Sequence, residues 1–305
     1  MDSFARFLSY VFLITAMLGI GLKVRVADVQ ATLHQRRFLL RSLVANFVYI
    51  PALGFLIVFL VPMPTDIAVG FILLAVTPGG LSALQYLGGS PDKLFIEGAL
   101  TFILSLLAIF ISPAIAGAVL PIELRLAPVH GPAIRFLLLY LLLPLLAGLA
   151  IRQKLPKPAE KLSKLMIIAA TLAITAFGFL LATKRQAALA ALDWTVLSAM
   201  AAFILGSMVI GWISGGPARE MRAVLATASS MRNCALCYFI AIRSFPGKNV
   251  DVAVIAFSFL MVPPNSALSF FEIVWKRRKK ISTKIKKIFS SAEGKIDHDR
   301  INPEL

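Results

Sequence analysis

The stretch Leu225–Tyr238 reads LATASSMRNCALCY and lies inside an apolar run long enough to cross a membrane. Seven consecutive positions within it hold five polar side chains, Thr227, Ser229, Ser230, Arg232 and Asn233. A guanidinium at bilayer depth costs about 2.5–3.5 kcal/mol on insertion scales, and it stays charged at ordinary pH. Such a side chain is retained where it meets a partner or a wet cavity, so Arg232 indicates a functional site.

The composition of the whole chain indicates a membrane protein with several spanning helices. Of its 305 residues, 59% are hydrophobic and 15% are charged. Soluble globular chains are about 45–50% apolar and about 25% charged. The net charge of +16 does not indicate nucleic-acid binding, because the basic residues form short clusters between apolar runs, where they set membrane topology. Two cysteines are too few for a disulfide framework.

Apolar runs of roughly 20 residues are candidate spanning helices, because about 1.5 Å per residue must cover about 30 Å of hydrocarbon. About nine such runs are predicted: Ser3–Leu22, Phe38–Val61, Asp66–Leu87, Leu94–Leu120, Pro132–Ile151, Leu162–Ala182, Trp194–Ser214, Arg222–Arg243 and Val252–Trp275. Arg6 precedes the first run, but no small-residue cleavage site follows it. We therefore interpret this run as a spanning helix and not as a signal peptide.

Lysine and arginine are concentrated in alternate loops, which predicts the orientation of the chain. The richer set of loops holds Lys23, Arg25, Arg36, Arg37, Lys93, Arg152, Lys154, Lys157, Lys161, Arg219 and Arg222. The opposite set holds Arg6, Arg125, Lys184, Arg185, Arg243 and Lys248. Because positive loops stay in the cytoplasm, we predict an outer N-terminus and a cytoplasmic C-terminus, in the inner or plasma membrane. Residues 276–305 are predicted to be a basic and then polar cytoplasmic tail.

Two of the predicted spans are interrupted. Thr77-Pro78-Gly79-Gly80 stands in the middle of the third, where proline removes a backbone donor and the glycines add flexibility. We expect a hinge at Pro78, Gly79 and Gly80. The eighth span carries the polar cluster at 227–233 and runs in the opposite direction. Two interrupted helices in corresponding positions are typical of an inverted-repeat transporter, whose binding site lies between the broken ends.

Four short motifs, in order, resemble the bile acid:sodium symporter family: Met17–Leu22, Ala45–Pro51, Thr77–Ser82 and Met231–Leu236. The last two resemble the two crossovers of that family, and the resemblance extends over nearly the whole chain. It implies an all-α polytopic membrane protein, with an inverted repeat and two broken crossing helices in a core domain beside a panel domain. Residues 1–275 would form this single transmembrane domain, with core helices at about 66–120 and 222–275 and panel helices at about 3–22 and 132–182. The chain is similar to nine-helix members.

The resemblance implies a secondary transporter that moves an organic anion, a small carboxylate or a bile-acid-like compound, by alternating access with sodium. The resulting candidate binding residues are Asn46, Ser82, Glu97, Thr101, Thr227, Ser230, Arg232 and Asn233. Ser82 and Thr101 match sodium ligands of the family, and Asn46 keeps an amide in place of a glutamine. Other ligand positions are altered, because Ala83, Ala228 and Arg232 stand where the family has asparagine, glutamate and glutamine.

Three roles for Arg232 follow, and the sequence leaves them open. The guanidinium replaces one bound sodium and pairs with Glu97 or nearby carbonyl groups, because arginine donates hydrogen bonds but cannot coordinate a cation. Alternatively, it grips a substrate carboxylate with two parallel hydrogen bonds. In the third reading it is a structural clamp on the crossover. The coupling ion is therefore Na⁺ or H⁺, and Glu97 is the candidate proton carrier.

The sequence also leaves other function classes open. A carrier of the same fold for an arsenite-type anion or a neutral metabolite, and a non-transporting membrane receptor, remain alternatives. Cys234 and Cys237 share a helical face, but no histidine lies near them in sequence, so we interpret them as packing residues. No phosphate loop or Ser-His-Asp spacing indicates an enzyme, and we expect no further cofactor. The expected partners are a small organic anion and the lipid bilayer, with no nucleic acid and an open oligomeric state.

Overall fold

The computed structural model describes residues 3–79, 91–119, 138–275 and 278, and every regular element in these ranges is a helix. Within these ranges, five helices are long and apolar enough to span a membrane: Arg36–Leu60, Ile96–Ala118, Pro156–Lys184, Trp194–Ser214 and Val250–Trp275. A sixth candidate is the bent pair formed by Phe7–Lys23 and Val26–His34. The predicted all-α polytopic membrane fold is confirmed, while the count of nine spans stays a prediction.

The helices are numbered here in chain order. The first seven are α1 (Ser3–Lys23), α2 (Val26–His34), α3 (Arg36–Leu60), α4 (Thr65–Val76), α5 (Pro91–Val119), α6 (a π-helical turn, Leu138–Leu142, continued by Leu143–Lys154) and α7 (Pro156–Lys184). The remaining six are α8 (Gln186–Ala190), α9 (Trp194–Ser214), α10 (Arg219–Ser230), α11 (Cys234–Ser244), α12 (Val250–Leu260) and α13 (262–275).

Helix α2 lies between the first two predicted spans, where the sequence analysis expected a loop. The chain bends by 75° between α1 and α2. Arg25 precedes α2, and its guanidinium contacts the carboxylate of Asp28 at 2.8 and 2.9 Å. The same carboxylate accepts a bond from the Arg25 backbone at 3.2 Å, which satisfies a donor at the helix start. A helix of nine residues is too short for hydrophobic periodicity to distinguish it from a loop.

Helices α1, α6 and α7 pack together as a three-helix group, in which α1 lies along both partners. Gly21 of α1 and Gly148 of α6 allow the two backbones to approach closely. A Cβ atom on Gly148 would lie 2.5 Å from the carbonyl oxygen of Leu18. Small residues at such contacts are typical of helix packing in membranes, where close backbone approach supplies the van der Waals energy.

The second helix group surrounds a buried core contributed by α3, α4, α5 and α9 to α12. Helix α9 packs on α10, and α4 packs on α12. Phe71 of α4, Phe203 of α9 and Phe257 of α12 form the centre of this core, with ring centroids 5.2 and 6.0 Å apart. The three rings thus pack α4, α9 and α12 against one another.

The two interrupted helices meet at their breaks. Helix α4 ends at Val76, residues 77–79 are not helical, and Gly80 lies outside the described residues. Helix α10 ends at Ser230 and α11 begins at Cys234, so residues 231–233 form the second break. Pro78 and Arg232 pair in an isolated antiparallel bridge. The interruptions expected at both sites are present, while the inverted repeat stays a prediction.

Candidate functional site

The Arg232 side chain is buried at the crossing of the two breaks, where it is 1% exposed. Its Nε donates to the carbonyl oxygen of Leu74 at 2.8 Å, and its Nη2 donates to that of Ala75 at 2.6 Å. Its Nη1 donates to Asn46 Oδ1 at 3.1 Å and to the Ser229 carbonyl oxygen at 3.3 Å. Four of the five N–H donors of the guanidinium are therefore engaged with oxygen atoms of the protein.

The break in α4 supplies the acceptors for this guanidinium. Leu74 and Ala75 lie in the last turn of α4, where carbonyl groups lack the donor that a continuing helix would supply four residues later. The C-terminal end of a helix also carries a partial negative charge, which favours a cation placed against it. The buried charge of Arg232 is thus compensated by backbone dipoles and one amide oxygen.

Asn46 is held in place by an irregular turn of α3. The π-helical turn Ala45–Tyr49 interrupts this helix just before Pro51, and such turns are frequent at functional sites. Asn46 is fully buried, and its Nδ2 donates to the Ser42 carbonyl at 3.0 Å and to Ser229 Oγ at 3.1 Å. Its Oδ1 is thereby oriented toward Arg232, so these two candidate residues are in direct contact.

Two serines of α5 satisfy carbonyl groups that the first break leaves without helical partners. Ser105 Oγ donates to the Gly79 carbonyl at 2.8 Å, and Ser112 Oγ donates to the Val76 carbonyl at 2.7 Å. In a membrane such carbonyls must be satisfied inside the protein. These serines were not among the candidates from the sequence, although their spacing of seven residues places them on one face of α5.

Glu97 and Thr101, one turn apart on α5, are both buried. Glu97 is not among the acceptors of Arg232; its carboxylate interacts electrostatically with Lys23 at the end of α1. The Thr101 hydroxyl has no hydrogen-bond partner among the described residues. Ser82 lies outside the described residues, so the sodium site expected at Ser82 and Thr101 stays a prediction.

Thr227 and Ser230, at the end of α10, donate hydrogen bonds to other groups of the protein. Thr227 Oγ1 donates to the Ala223 carbonyl at 3.0 Å. Ser230 Oγ donates to Asn265 Oδ1 at 2.7 Å, and the Asn265 amide donates to the Met261 carbonyl at 2.8 Å. Asn265 thereby ties the second break to the turn between α12 and α13.

A cavity of about 260 Å³ lies between the three-helix group and the second break. Side chains from α1, α7, α11 and α12 line it, and most are apolar, such as Phe12, Met17, Ile174 and Phe239. Arg232 and Asn233 reach it from the break between α10 and α11. The cavity therefore lies at the interface of the two helix groups and touches the crossing.

Asn233 lines this cavity and carries a buried side-chain amide beside it. Its Oδ1 accepts a bond from Leu236 N at 3.1 Å and caps the N-terminus of α11. Its backbone N–H donates to the Thr77 carbonyl at 2.9 Å, across the crossing. Its Nδ2 is buried without a hydrogen-bond partner among the residues that the structure describes. A donor in this position at a helix N-terminus is suited to an anionic group.

Cys234 and Cys237 are buried free thiols beside the second break. Cys237 Sγ contacts Thr77 Oγ1 across the crossing, and Cys234 Sγ lies 4.0 Å from Met261 Sδ. In the described part of the chain, no group of three histidine, cysteine or acidic side chains is arranged to hold a metal ion. These contacts fit the interpretation of the two cysteines as packing residues.

Comparison with known proteins identifies the family of this chain. A search of curated proteins finds no match. The model of the sodium bile acid symporter family matches residues 10–192, which is more than half of the chain. The matched part contains Asn46, Glu97, Thr101 and the first break, whereas Arg232 lies beyond it. The chain is thus an integral membrane protein that belongs to the sodium bile acid symporter family, a family of transporters.

Proposed function

We propose that this protein is a secondary carrier that moves a small organic anion by alternating access. The three-helix group α1, α6 and α7 acts as the panel, and the second group acts as the core. The cavity between the two groups supports this proposal, because a carrier must expose a site at such an interface to each side in turn. Family membership supports the same class of function.

The substrate class follows from the lining of the cavity. The unpartnered Nδ2 of Asn233 and the N-terminus of α11 favour one anionic group, such as a carboxylate. The remaining walls are mostly apolar, which suits an apolar substrate body. A volume of about 260 Å³ is just below the roughly 300–1,000 Å³ of common ligand pockets. These properties favour a small carboxylate over a bulky bile-acid-like compound.

Arg232 is proposed to act as a fixed cation in place of a bound sodium ion. The observation that carries this proposal is the set of four oxygen atoms around its guanidinium, from Leu74, Ala75, Ser229 and Asn46. Carbonyl and amide oxygens are ligands that hard cations prefer. With the guanidinium among these oxygens, binding of a cation at this position is unnecessary and electrostatically unfavourable.

The same contacts argue against a direct grip of Arg232 on the substrate. A bidentate bond to a carboxylate needs two parallel N–H donors. Four of the five donors are engaged within the protein, so such a grip would break bonds to buried carbonyl groups. Asn233 is therefore the better candidate for substrate contact.

Uptake into proteoliposomes tests this function. Wild type, Arg232→Gln and Arg25→Gln would be compared for uptake of short-chain carboxylates and 2-oxo acids, under a sodium gradient and under a proton gradient. We expect wild type to transport without sodium and Arg232→Gln to gain sodium dependence, because glutamine adds an amide oxygen to the set. Arg25→Gln is the matched control, since Arg25 pairs with Asp28 away from the crossing. Glu97→Gln, assayed under the proton gradient, tests proton coupling.

Different failures have different meanings in this assay. A wild type that requires sodium and loses uptake without it would contradict the fixed-cation role of Arg232. Uptake of arsenite or a neutral metabolite, but of no carboxylate, would favour a same-fold carrier with another cargo. If nothing is taken up, and cysteines introduced in the cavity are labelled from one side in every condition, the protein is better explained as a receptor.

A further inference from the structure

A second pocket, which we call the basic pocket, lies away from the crossing. It has a volume of about 620 Å³ and lies between the start of α3 and the loop 215–218 that joins α9 to α10. His34, Arg36, Arg37 and Arg41 line one side of it, and the loop lines the other. None of these residues belongs to the cavity or contacts Arg232.

The charge of this pocket is uniformly positive. None of its described lining residues is an aspartate or a glutamate, and Arg36, Arg37 and Arg41 are exposed. Within the described part of the chain, none of these three arginines forms an ion pair with a carboxylate. By contrast, Arg25, Arg185 and Arg219 pair with Asp28, Asp251 and Glu272. The pocket thus concentrates guanidinium groups that remain available for an external anion.

The N-termini of two helices border the basic pocket. Helix α3 begins at Arg36 and α10 begins at Arg219, and their N-cap residues, Gln35 and Ala218, both line the pocket. Neither N-cap side chain accepts a bond from its helix, so donors of both first turns are left for other partners. Glu220 lies in the first turn of α10 but does not line the pocket. Helix N-termini combined with arginines are a recurrent arrangement for phosphate.

The position of the pocket along α3 indicates where its ligand comes from. Helix α3 is a candidate membrane span, so its first turn lies at the boundary of the bilayer. The buried side chain of Phe38, together with Met221, supplies an apolar floor below the arginines. By the distribution of basic loops this boundary faces the cytoplasm, where anionic lipid headgroups are concentrated.

We propose that the basic pocket is a phosphate-binding site and that its ligand is the headgroup phosphate of an anionic phospholipid. The arginines bind the phosphate oxygens, and the apolar floor contacts the first part of the lipid. A bound headgroup connects the start of α3 to the loop between α9 and α10. A soluble phosphate ester shares the recognised group, so the test must distinguish these two sources.

The test uses the full-length protein in detergent, with phosphatidylglycerol as the probe. Binding is followed by native mass spectrometry and by melting temperature, with phosphatidylcholine, inorganic phosphate and glycerol 3-phosphate as comparisons. We expect saturable binding and a higher melting temperature with phosphatidylglycerol alone. The variant with Arg36→Gln, Arg37→Gln and Arg41→Gln should bind it roughly a hundredfold more weakly, from the contribution of three arginines near an anionic surface.

The matched control removes the same charge on the same predicted membrane face. It carries Lys154→Gln, Lys157→Gln and Lys161→Gln, three exposed lysines outside the pocket. Equal weakening in both triple variants would overturn the proposal, because general electrostatic attraction would then explain the binding. Arg41→Gln alone provides a milder variant if the triple variant misfolds or changes orientation, and unchanged binding in it would also count against the site. If glycerol 3-phosphate raises the melting temperature saturably in the absence of lipid, the pocket is still a phosphate site, but its ligand is soluble.

Discussion

The Nη2 atom of Arg232 lies 2.6 Å from the carbonyl oxygen of Ala75, although 157 positions separate the two residues in the chain. The bond joins the second break to the end of α4, beside the backbone pairing of Pro78 and Arg232. A charged side chain therefore completes the hydrogen bonding of a broken helix. The same contact fixes the geometry of the crossing and occupies a set of oxygens suited to a cation.

Replacing Arg232 with methionine tests how much this contact stabilises the fold. Methionine keeps an unbranched side chain but removes every donor, so the Ala75 carbonyl loses its guanidinium partner and the Leu74 carbonyl keeps only its 3.4 Å contacts with Thr77. A buried carbonyl left without a partner costs about 1–3 kcal/mol. We expect the melting temperature of purified Arg232→Met to fall by several degrees. Arg25→Met should have little effect, because its partly exposed pair with Asp28 contributes about 0–1 kcal/mol. Equal losses in the two variants would contradict this explanation.

Asn233→Asp tests the substrate contact separately from the helix cap. Aspartate caps helices as well as asparagine does, so the N-terminus of α11 keeps its acceptor. The substitution removes the Nδ2 donor and places a negative charge at the cavity. We expect the melting temperature to fall less than in Asn233→Ala, because the cap is kept, and KM for carboxylate uptake to rise more than about tenfold, since one charge-assisted bond contributes about 1.5–3 kcal/mol. Asn233→Ala should impair both properties, and normal uptake by Asn233→Asp would exclude the proposed contact.

The sequence was sufficient to predict the two breaks and that the intramembrane charge of Arg232 would have partners within the protein. A Pro-Gly-Gly segment and an intramembrane arginine are local signals, which follow from backbone chemistry and from the energetic cost of a buried charge. The membership of Asn46 in the same site was predicted as well, but from the family resemblance.

The partners of Arg232 were predicted less completely, because backbone carbonyls leave no mark in a sequence. Glu97 and nearby carbonyls were both expected as partners, and the guanidinium contacts the carbonyls of Leu74 and Ala75. Which carbonyls become available depends on where α4 ends and on how two distant segments cross. The roles of Ser105 and Ser112 depend on the same tertiary arrangement.

Gly79, at the first break, is predicted to be required for two separable reasons: its backbone conformation and the close approach of Ser105. Gly79 has a φ of 88°, and a Cβ atom there would lie 2.8 Å from both the backbone nitrogen and Oγ of Ser105. Gly247 has a φ of 80°, but nothing lies within 4 Å of its Cβ position. Gly247→Ala should therefore cost about 1–2 kcal/mol, from the backbone conformation alone. Gly79→Ala should lower the melting temperature more than Gly247→Ala does. Equal falls in the two variants would show that the close approach of Ser105 is unimportant.

An ion pair between Arg185 and Asp251 joins the three-helix group to the second helix group. It lies at the end of the molecule that is predicted to face outward. Arg185, which follows α7, donates to Asp251 Oδ2 of α12 from Nε and lies 3.1 Å from it through Nη2. Nearby, the backbone of Asn249 donates to Asp66 at the start of α4, at 2.9 Å. A carrier that opens outward by separating the two groups must break the bond between Arg185 and Asp251.

Arg185→Gln should therefore shift the protein toward an outward-open state. The shift is measured with Ser258→Cys, a cavity position, in a background carrying Cys234→Ala and Cys237→Ala. We expect an impermeant maleimide added from outside to label this cysteine several-fold faster in Arg185→Gln, and Asp251→Asn to have the same effect. Combining the two should add nothing, because the variants remove one shared interaction. Lys248→Gln, an exposed charge on the same predicted face, should leave the rate unchanged. A labelling rate unaffected by Arg185→Gln would mean that this pair does not hold the outer side closed.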